Sequence, residues 1–296
     1  MPIRSEGLPL HEPLGAPKSE FVAMLENRWS QGNFVCVGLD SNVDLLPDFL
    51  KHGSAYHSIV DFNQEIIEAT ADLALAYKPN TAFYEAWGKY GYEALQSTIS
   101  YVKRNFPHIP VILDAKRGDI GSTNAGYVRW AFDELGADAI TVHPILGKEA
   151  MKPFLDRKDK GILVLAKTSN QGAGEFQDLR VGETDEPLYM VFARQVATEW
   201  NTNGNCGLVV GATYPHELAE IRAVVGDIPI LIPGIGAQGG EVESTVKAGK
   251  DSRNQGMIIN ASRSIIFASS GRDFAEAARA ETQRLTAEIN KYRLAA

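Results

Sequence analysis

The chain has 296 residues, 44% of them hydrophobic and 22% charged, with a formal net charge of −8. That length and composition can bury a large core, and the acidic balance argues against a general nucleic-acid binder, which carries a basic face. The N-terminal MPIRSEGLPLHEPLGAP lacks the apolar centre of a signal peptide, and no apolar run approaches the ~18 residues of a membrane span, so a cytoplasmic protein without membrane contact is expected.

Residues 1–17 are proline-bearing and read as an extended arm, and residues 18–31 read as a helix. Together they suggest an N-terminal segment, 1–32, ahead of a catalytic domain, 33–296. Short apolar runs then recur: VCVGLD from 35, LALAYKPN from 73, VILDAK from 111 and AITVHP from 139. ILVLAK from 162, GLVVGAT from 207, PILIPGIG from 229 and GMIINAS from 256 follow. Each is rich in Val, Ile and Leu without strict alternation, the pattern of strands buried on both faces of a parallel sheet. Between them, HSIVDFNQEIIEATADLA, YEALQSTISYVKRNF and LYMVFARQVATEW carry apolar residues near helical spacing. Eight strand–helix units predict an α/β fold, a single-domain (β/α)8 TIM barrel, with a doubly wound open sheet as the alternative. The polar stretch SNQGAGEFQDLRVGETDEP after the fifth strand reads as a long surface loop rather than a ninth unit. Cys36 and Cys206 lie inside apolar runs and read as buried reduced thiols.

Barrels carry their catalytic groups at the C-terminal ends of strands. Here those ends are Asp40, Lys78, Asp114 with Lys116, His143, Lys167 with Ser169, the PGIGAQGG loop and Arg263. A buried charge without a partner is costly, so these groups either share a polar cavity or form salt bridges at the rim. Asp114 and Lys116 are two apart and share a face if the strand continues; Asp119 follows. Flanking carboxylates hold a lysine in its ammonium form and repel a neighbouring substrate anion. That suits proton donation to a developing carbanion and not a Schiff base, which needs a neutral amine. With Asp40, three aspartates could bind a metal, but Lys78 and Lys116 at the same mouth compete with a cation.

GIGAQG, residues 234–239, formally matches a dinucleotide fingerprint. It follows the seventh strand rather than opening a βαβ unit, and the next strand ends in Asn260 rather than an acid for a ribose diol. Loops after strands seven and eight of a barrel hold phosphate, and Arg263 adds a bidentate donor. His143 reads as a structural histidine hydrogen-bonded under a loop. Lys167 could reach the site or pair with a neighbouring carboxylate. Ser169 and Asn170 could bond an amide-like ring edge.

Asp114-Ala-Lys116-x-x-Asp119, followed by Ile-Gly-Ser-Thr123-Asn, resembles the signature of the orotidine 5′-phosphate decarboxylase family. The resemblance extends to Gly-Leu-Asp40, Lys78-Pro-Asn, Thr-Val-His143-Pro, Lys167-Thr-Ser169-Asn170, PGIGAQGG and Ala-Ser-Arg263-Ser, spanning about residues 33–266 in order. The KTSN and TVHP wording is similar to the longer bacterial branch. The resemblance implies cofactor-free and metal-free decarboxylation to uridine 5′-phosphate, the last step of its de novo synthesis. Lys116 would deliver a proton to C6, Asp114 would lie beside the departing carboxylate, and Asp40 and Lys78 would hold ribose hydroxyls and position the array. Ser169 would bond the pyrimidine edge. Gln238, Arg263 and backbone N–H groups near Gly236, in the loop opened by Pro233, would hold the phosphate. Asp119 and Thr123 would reach the neighbouring subunit's site in a homodimer. Sugar-phosphate lyases of the same barrel group resemble this motif but use Mg2+, with an acidic ligand expected at the end of strand two, where this chain has Lys78.

Overall fold

A computed structural model describes residues 19–183, 185–236 and 241–295. Eight parallel strands form the barrel: β1 (Val35–Gly38), β2 (Ala74–Lys78), β3 (Ile112–Arg117), β4 (Ala139–Val142), β5 (Gly161–Lys167), β6 (Cys206–Val210), β7 (Ile230–Pro233) and β8 (Met257–Ala261). Their order around the sheet is β2-β1-β8-β7-β6-β5-β4-β3. The remaining seam, between β2 and β3, is bridged only at Tyr77–Val111 and Asn80–Asp114. This is the (β/α)8 barrel expected from the eight apolar runs, and each strand begins within a residue of its run. The runs lack alternation because both faces are covered. Strand side chains pointing inward fill the barrel and those pointing outward meet the helices, so Val35, Cys36, Val37, Ile162, Leu163 and Val164 are all fully buried.

Helices cover the outside. In Ala55–Thr70, Ile59, Phe62, Ile66 and Ile67 recur at helical spacing and are completely buried. Cys36 and Cys206 are buried free thiols, and burial pushes both up to about 12. No helix among the described residues is long and apolar enough to cross a membrane.

The helix Glu20–Ser30 closes the N-terminal end of the barrel. Ser19 caps it by accepting a hydrogen bond from the Val22 N–H. Its buried face, Phe21, Leu25 and Trp29, joins the main core. The Trp29 indole donates to the Met257 carbonyl at the start of β8, and Arg28 donates to the carbonyls of Ala71 and Ala74 at the start of β2. Phe21 lies against Gly161, where a Cβ would approach the ring to 2.2 Å, so β5 must begin with glycine. With this end plugged, the strands open only at their C-terminal ends.

The polar stretch after β5 is not a ninth unit. It holds two short helical turns, Gln171–Ala173 and Gly174–Gln177, and a two-residue antiparallel pair, Arg180–Val181 with Glu186–Pro187.

Candidate active site

The open end encloses a cavity of about 390 Å3. Asp40, Lys78, Asp114, Lys116, Ser169, Pro233 and Arg263 all line it, alongside Asn80, Asn170, Asn260 and Ser262. Residues far apart in the chain meet here because every strand of a parallel barrel ends on the same side. Close approach of β1 and β8 tightens the floor: a Cβ on Gly38 would lie 1.9 Å from the Ser262 hydroxyl.

At the β2–β3 seam the charges alternate. Asp114 sits between two lysines, with Oδ2 2.9 Å from Lys78 Nζ and Oδ1 2.6 Å from Lys116 Nζ. Lys78 Nζ is also 4.0 Å from Asp40 Oδ1, an oxygen that is buried and accepts no hydrogen bond among the described residues. Lys78 and Asp114 are deeply buried, at 3% and 8% exposure, while the Lys116 side chain is 48% exposed to the cavity mouth. Burial opposes ionisation of Lys78, but the carboxylates of Asp114 and Asp40 prevail and hold its ammonium above the usual lysine range. Burial likewise opposes ionisation of Asp114, and the two ammonium groups hold it well below the usual carboxylate range. Both therefore stay charged across neutral pH. A cation bound at Asp114 would have to displace a lysine from one of its oxygens. Among the described residues, no group of three or more His, Cys, Asp or Glu could hold a metal ion.

Asp114 and Lys116 face each other by a different route from plain strand alternation. The β3–β4 register slips between Leu113 and Arg117, and Lys116 has φ 47°, in the left-handed region. A bulge of this kind re-aims a side chain next to a site. Thr141 on β4 accepts the Lys116 N–H at 3.0 Å and donates to Asp114 Oδ1 at 2.9 Å. Nothing in the sequence marked this threonine, because its partner is defined only by the register.

Across the cavity, β7 runs into Gly234 and Gly236, with φ 108° and 77°, conformations that favour glycine. Pro233 and Gly234 line the cavity, Gly236 follows at the exposed rim, and Gln238 lies outside the described residues. Arg263 opens a helical turn after β8, and its guanidinium makes no ion pair among the described residues. Arg263 thus lines the same cavity as the lysine–aspartate array.

Asp119 and Thr123 do not line this cavity. Asp119 caps its own loop, accepting the Ile120 N–H, while Thr123 lies in a separate groove with Tyr127 and Trp130. Lys167 is absent from the cavity too. It is fully buried on the outer side of β5, paired with Asp178 and facing the Tyr214 and Tyr189 rings at 4.6 and 5.4 Å. His143 packs under the loop as expected, against Gly118, but its buried Nδ1 has no hydrogen-bond partner among the described residues. Gly118 leaves the ring its space, so packing rather than ring hydrogen bonding holds it.

Comparison with known proteins agrees with this geometry. Residues 34–280 match the model of the orotidine 5′-phosphate decarboxylase / HUMPS family. The chain is 47% identical over 273 residues to an orotidine 5′-phosphate decarboxylase of Janthinobacterium sp. (strain Marseille), covering 92% of this chain and 98% of that one. It superposes on the OMP decarboxylase of Leishmania donovani with TM-score 0.80 at 39% identity, covering 93% of this chain and 99% of that one. It also superposes on the UMP synthase of the same organism with TM-score 0.82 at 40% identity, covering 94% of this chain but 57% of that longer one. A barrel with these strand-end residues and this degree of likeness along nearly its whole length belongs to the orotidine 5′-phosphate decarboxylase / HUMPS family.

Proposed function

We propose that the chain is an orotidine 5′-phosphate decarboxylase, converting orotidine 5′-phosphate to uridine 5′-phosphate and CO2 with no metal or organic cofactor. The observation that carries this reading is the Lys78–Asp114–Lys116 array, with Lys78 and Asp114 buried, lining the same cavity as Arg263, which makes no ion pair among the described residues. A nucleotide monophosphate would sit with its phosphate at Arg263 and the Gly234–Gly236 turn and its pyrimidine near Ser169. Gln238 would add to the phosphate site. Asp40, which lines the cavity, can accept a ribose hydroxyl, and Lys78 can donate to one.

In this reading the substrate carboxylate enters beside Asp114, which is held anionic. The C6–carboxylate bond breaks, CO2 leaves, and the electron pair stays on C6. Lys116 passes a proton from Nζ to C6 and is reprotonated from solvent through its exposed side. No covalent electron sink exists, so stabilisation comes from charges fixed in advance. Phosphate contacts remote from C6 supply binding energy to assemble the site. The same array argues against the sugar-phosphate lyase reading, because the end of β2 offers an ammonium group where a metal ligand would be needed.

We further propose a cytoplasmic homodimer in which Asp119 and Thr123 complete the partner's site. Both lie outside their own cavity, on a face bearing the exposed side chains of Ile120 and Ile145 and the groove beside Tyr127 and Trp130. Such apolar exposure fits an interface.

The test is to mix the pure protein, dialysed against a chelator, with orotidine 5′-phosphate and follow the orotate ultraviolet band. The band should disappear as uridine 5′-phosphate forms. Activity that vanishes on dialysis and returns with Mg2+ would favour the metal-dependent lyase.

A further inference from the structure

Beneath the cavity floor, Thr141 is 1% exposed and touches both halves of the charged array without lining the cavity. Its place follows from the bulge. Leu113 pairs with Ile140 and Arg117 with Val142, so three residues of β3 (114, 115 and 116) face the single residue Thr141 on β4. The backbone ladder is interrupted there, and the threonine side chain takes over part of it. Its hydroxyl accepts the Lys116 N–H at 3.0 Å and donates to Asp114 Oδ1 at 2.9 Å. These directions have no alternative: an amide N–H can only donate, and an ionised carboxylate can only accept. One hydroxyl thus fixes both the backbone of Lys116, at φ 47°, and the carboxylate that receives the Lys116 ammonium.

We propose that Thr141 is a positioning residue for the decarboxylation, acting through Lys116 and Asp114. The inference rests on the reading of the site given above. Positive φ is unfavourable for a lysine, so the bond to Thr141 helps hold a conformation that the chain would otherwise leave. When Lys116 turns its ammonium from Asp114 towards C6, Oδ1 loses its charged donor. The Thr141 hydroxyl remains, keeping that oxygen in place while Lys78 holds the other. Substrate contacts are untouched, so the effect belongs to turnover rather than to binding.

The experiment compares wild type, Thr141→Val and Thr141→Ser in the ultraviolet assay, with uridine 5′-phosphate affinity measured calorimetrically. Valine keeps the shape and removes the hydroxyl; serine keeps the hydroxyl. Loss of a hydrogen bond to a charged group predicts that Thr141→Val lowers kcat about 10- to 100-fold, with KM and product affinity changed less than about threefold. Thr141→Ser should recover most of kcat. If Thr141→Val does not fold, Thr141→Ala takes its place in the same comparison. A valine variant within about twofold of wild-type kcat, or a serine variant as impaired as valine, overturns the proposal. An inactive wild type in the same assay instead overturns the decarboxylase reading itself.

Discussion

Two strands end in a buried lysine, and their destinations differ. Lys78 at the end of β2 points into the barrel mouth, between Asp114 and Asp40. Lys167 at the end of β5 is equally buried but lies on the outside, against Asp178 and two tyrosine rings. The cause is register. Leu165 lines the cavity, so alternation would bring Lys167 inward as well. The β5–β6 pairing slips between Leu165 and Lys167, and the slip turns the lysine to the other face. The slip in β3 works in the opposite sense, keeping Asp114 and Lys116 on one cavity. A lysine after an apolar run is thus a candidate for the site, and one irregular residue decides whether it belongs there.

The largest effect that separates the two regions is expected at Lys116. Lys116→Ala should abolish nearly all turnover, since general acid catalysis alone accounts for ~10²–10⁴-fold and its electrostatic role adds to that. The purified variant should still bind uridine 5′-phosphate. Residual turnover above a few per cent in the ultraviolet assay would mean that another group protonates C6.

Asp119 extends the comparison across the proposed dimer. Asp119→Ala and Lys116→Ala should each be nearly inactive alone. Refolded together in equal amounts, they should form about half heterodimers, in which one site carries both defects and the other none, so about a quarter of normal activity returns. A mixture that stays inactive despite demonstrated subunit exchange would keep Asp119 within its own chain.

At the proposed phosphate end, Arg263→Ala should weaken substrate binding by roughly 1.5–3 kcal/mol, the loss of a charge-assisted fork. Binding of the nucleoside lacking phosphate should change far less. Equal losses for both, by calorimetry, would make the arginine structural.

The smallest effect is expected outside the barrel. Lys167→Met preserves the length of the buried chain, and the partner it leaves, Asp178, is half exposed and can turn to solvent. Its kcat should stay within about threefold of wild type, whereas Lys78→Met, which leaves Asp114 and Asp40 without their shared cation, should lose activity by at least 10²-fold. Comparable losses in both variants would erase the distinction drawn from the register.

These cases show what the sequence could and could not disclose. The eight strands were legible because burial on both faces leaves apolar runs that no solvent-facing element would carry. Asp40, Lys78, Asp114, Lys116, Ser169, Pro233 and Arg263 were legible because polar groups at strand ends need a shared cavity or partners. Thr141 was not, because its importance lies in facing a bulge that no residue pattern announces. The orientation of Lys167 was open for the same reason. The small antiparallel pair after β5 was hidden by its brevity, with only two residues on each side.

The most direct measurement is a crystal structure with uridine 5′-phosphate bound. The account predicts the phosphate against Arg263, the ribose hydroxyls at Asp40 and Lys78, and pyrimidine C6 within ~3.5 Å of Lys116 Nζ. A nucleotide bound with its phosphate on the lysine array, or seated outside this cavity, would contradict it.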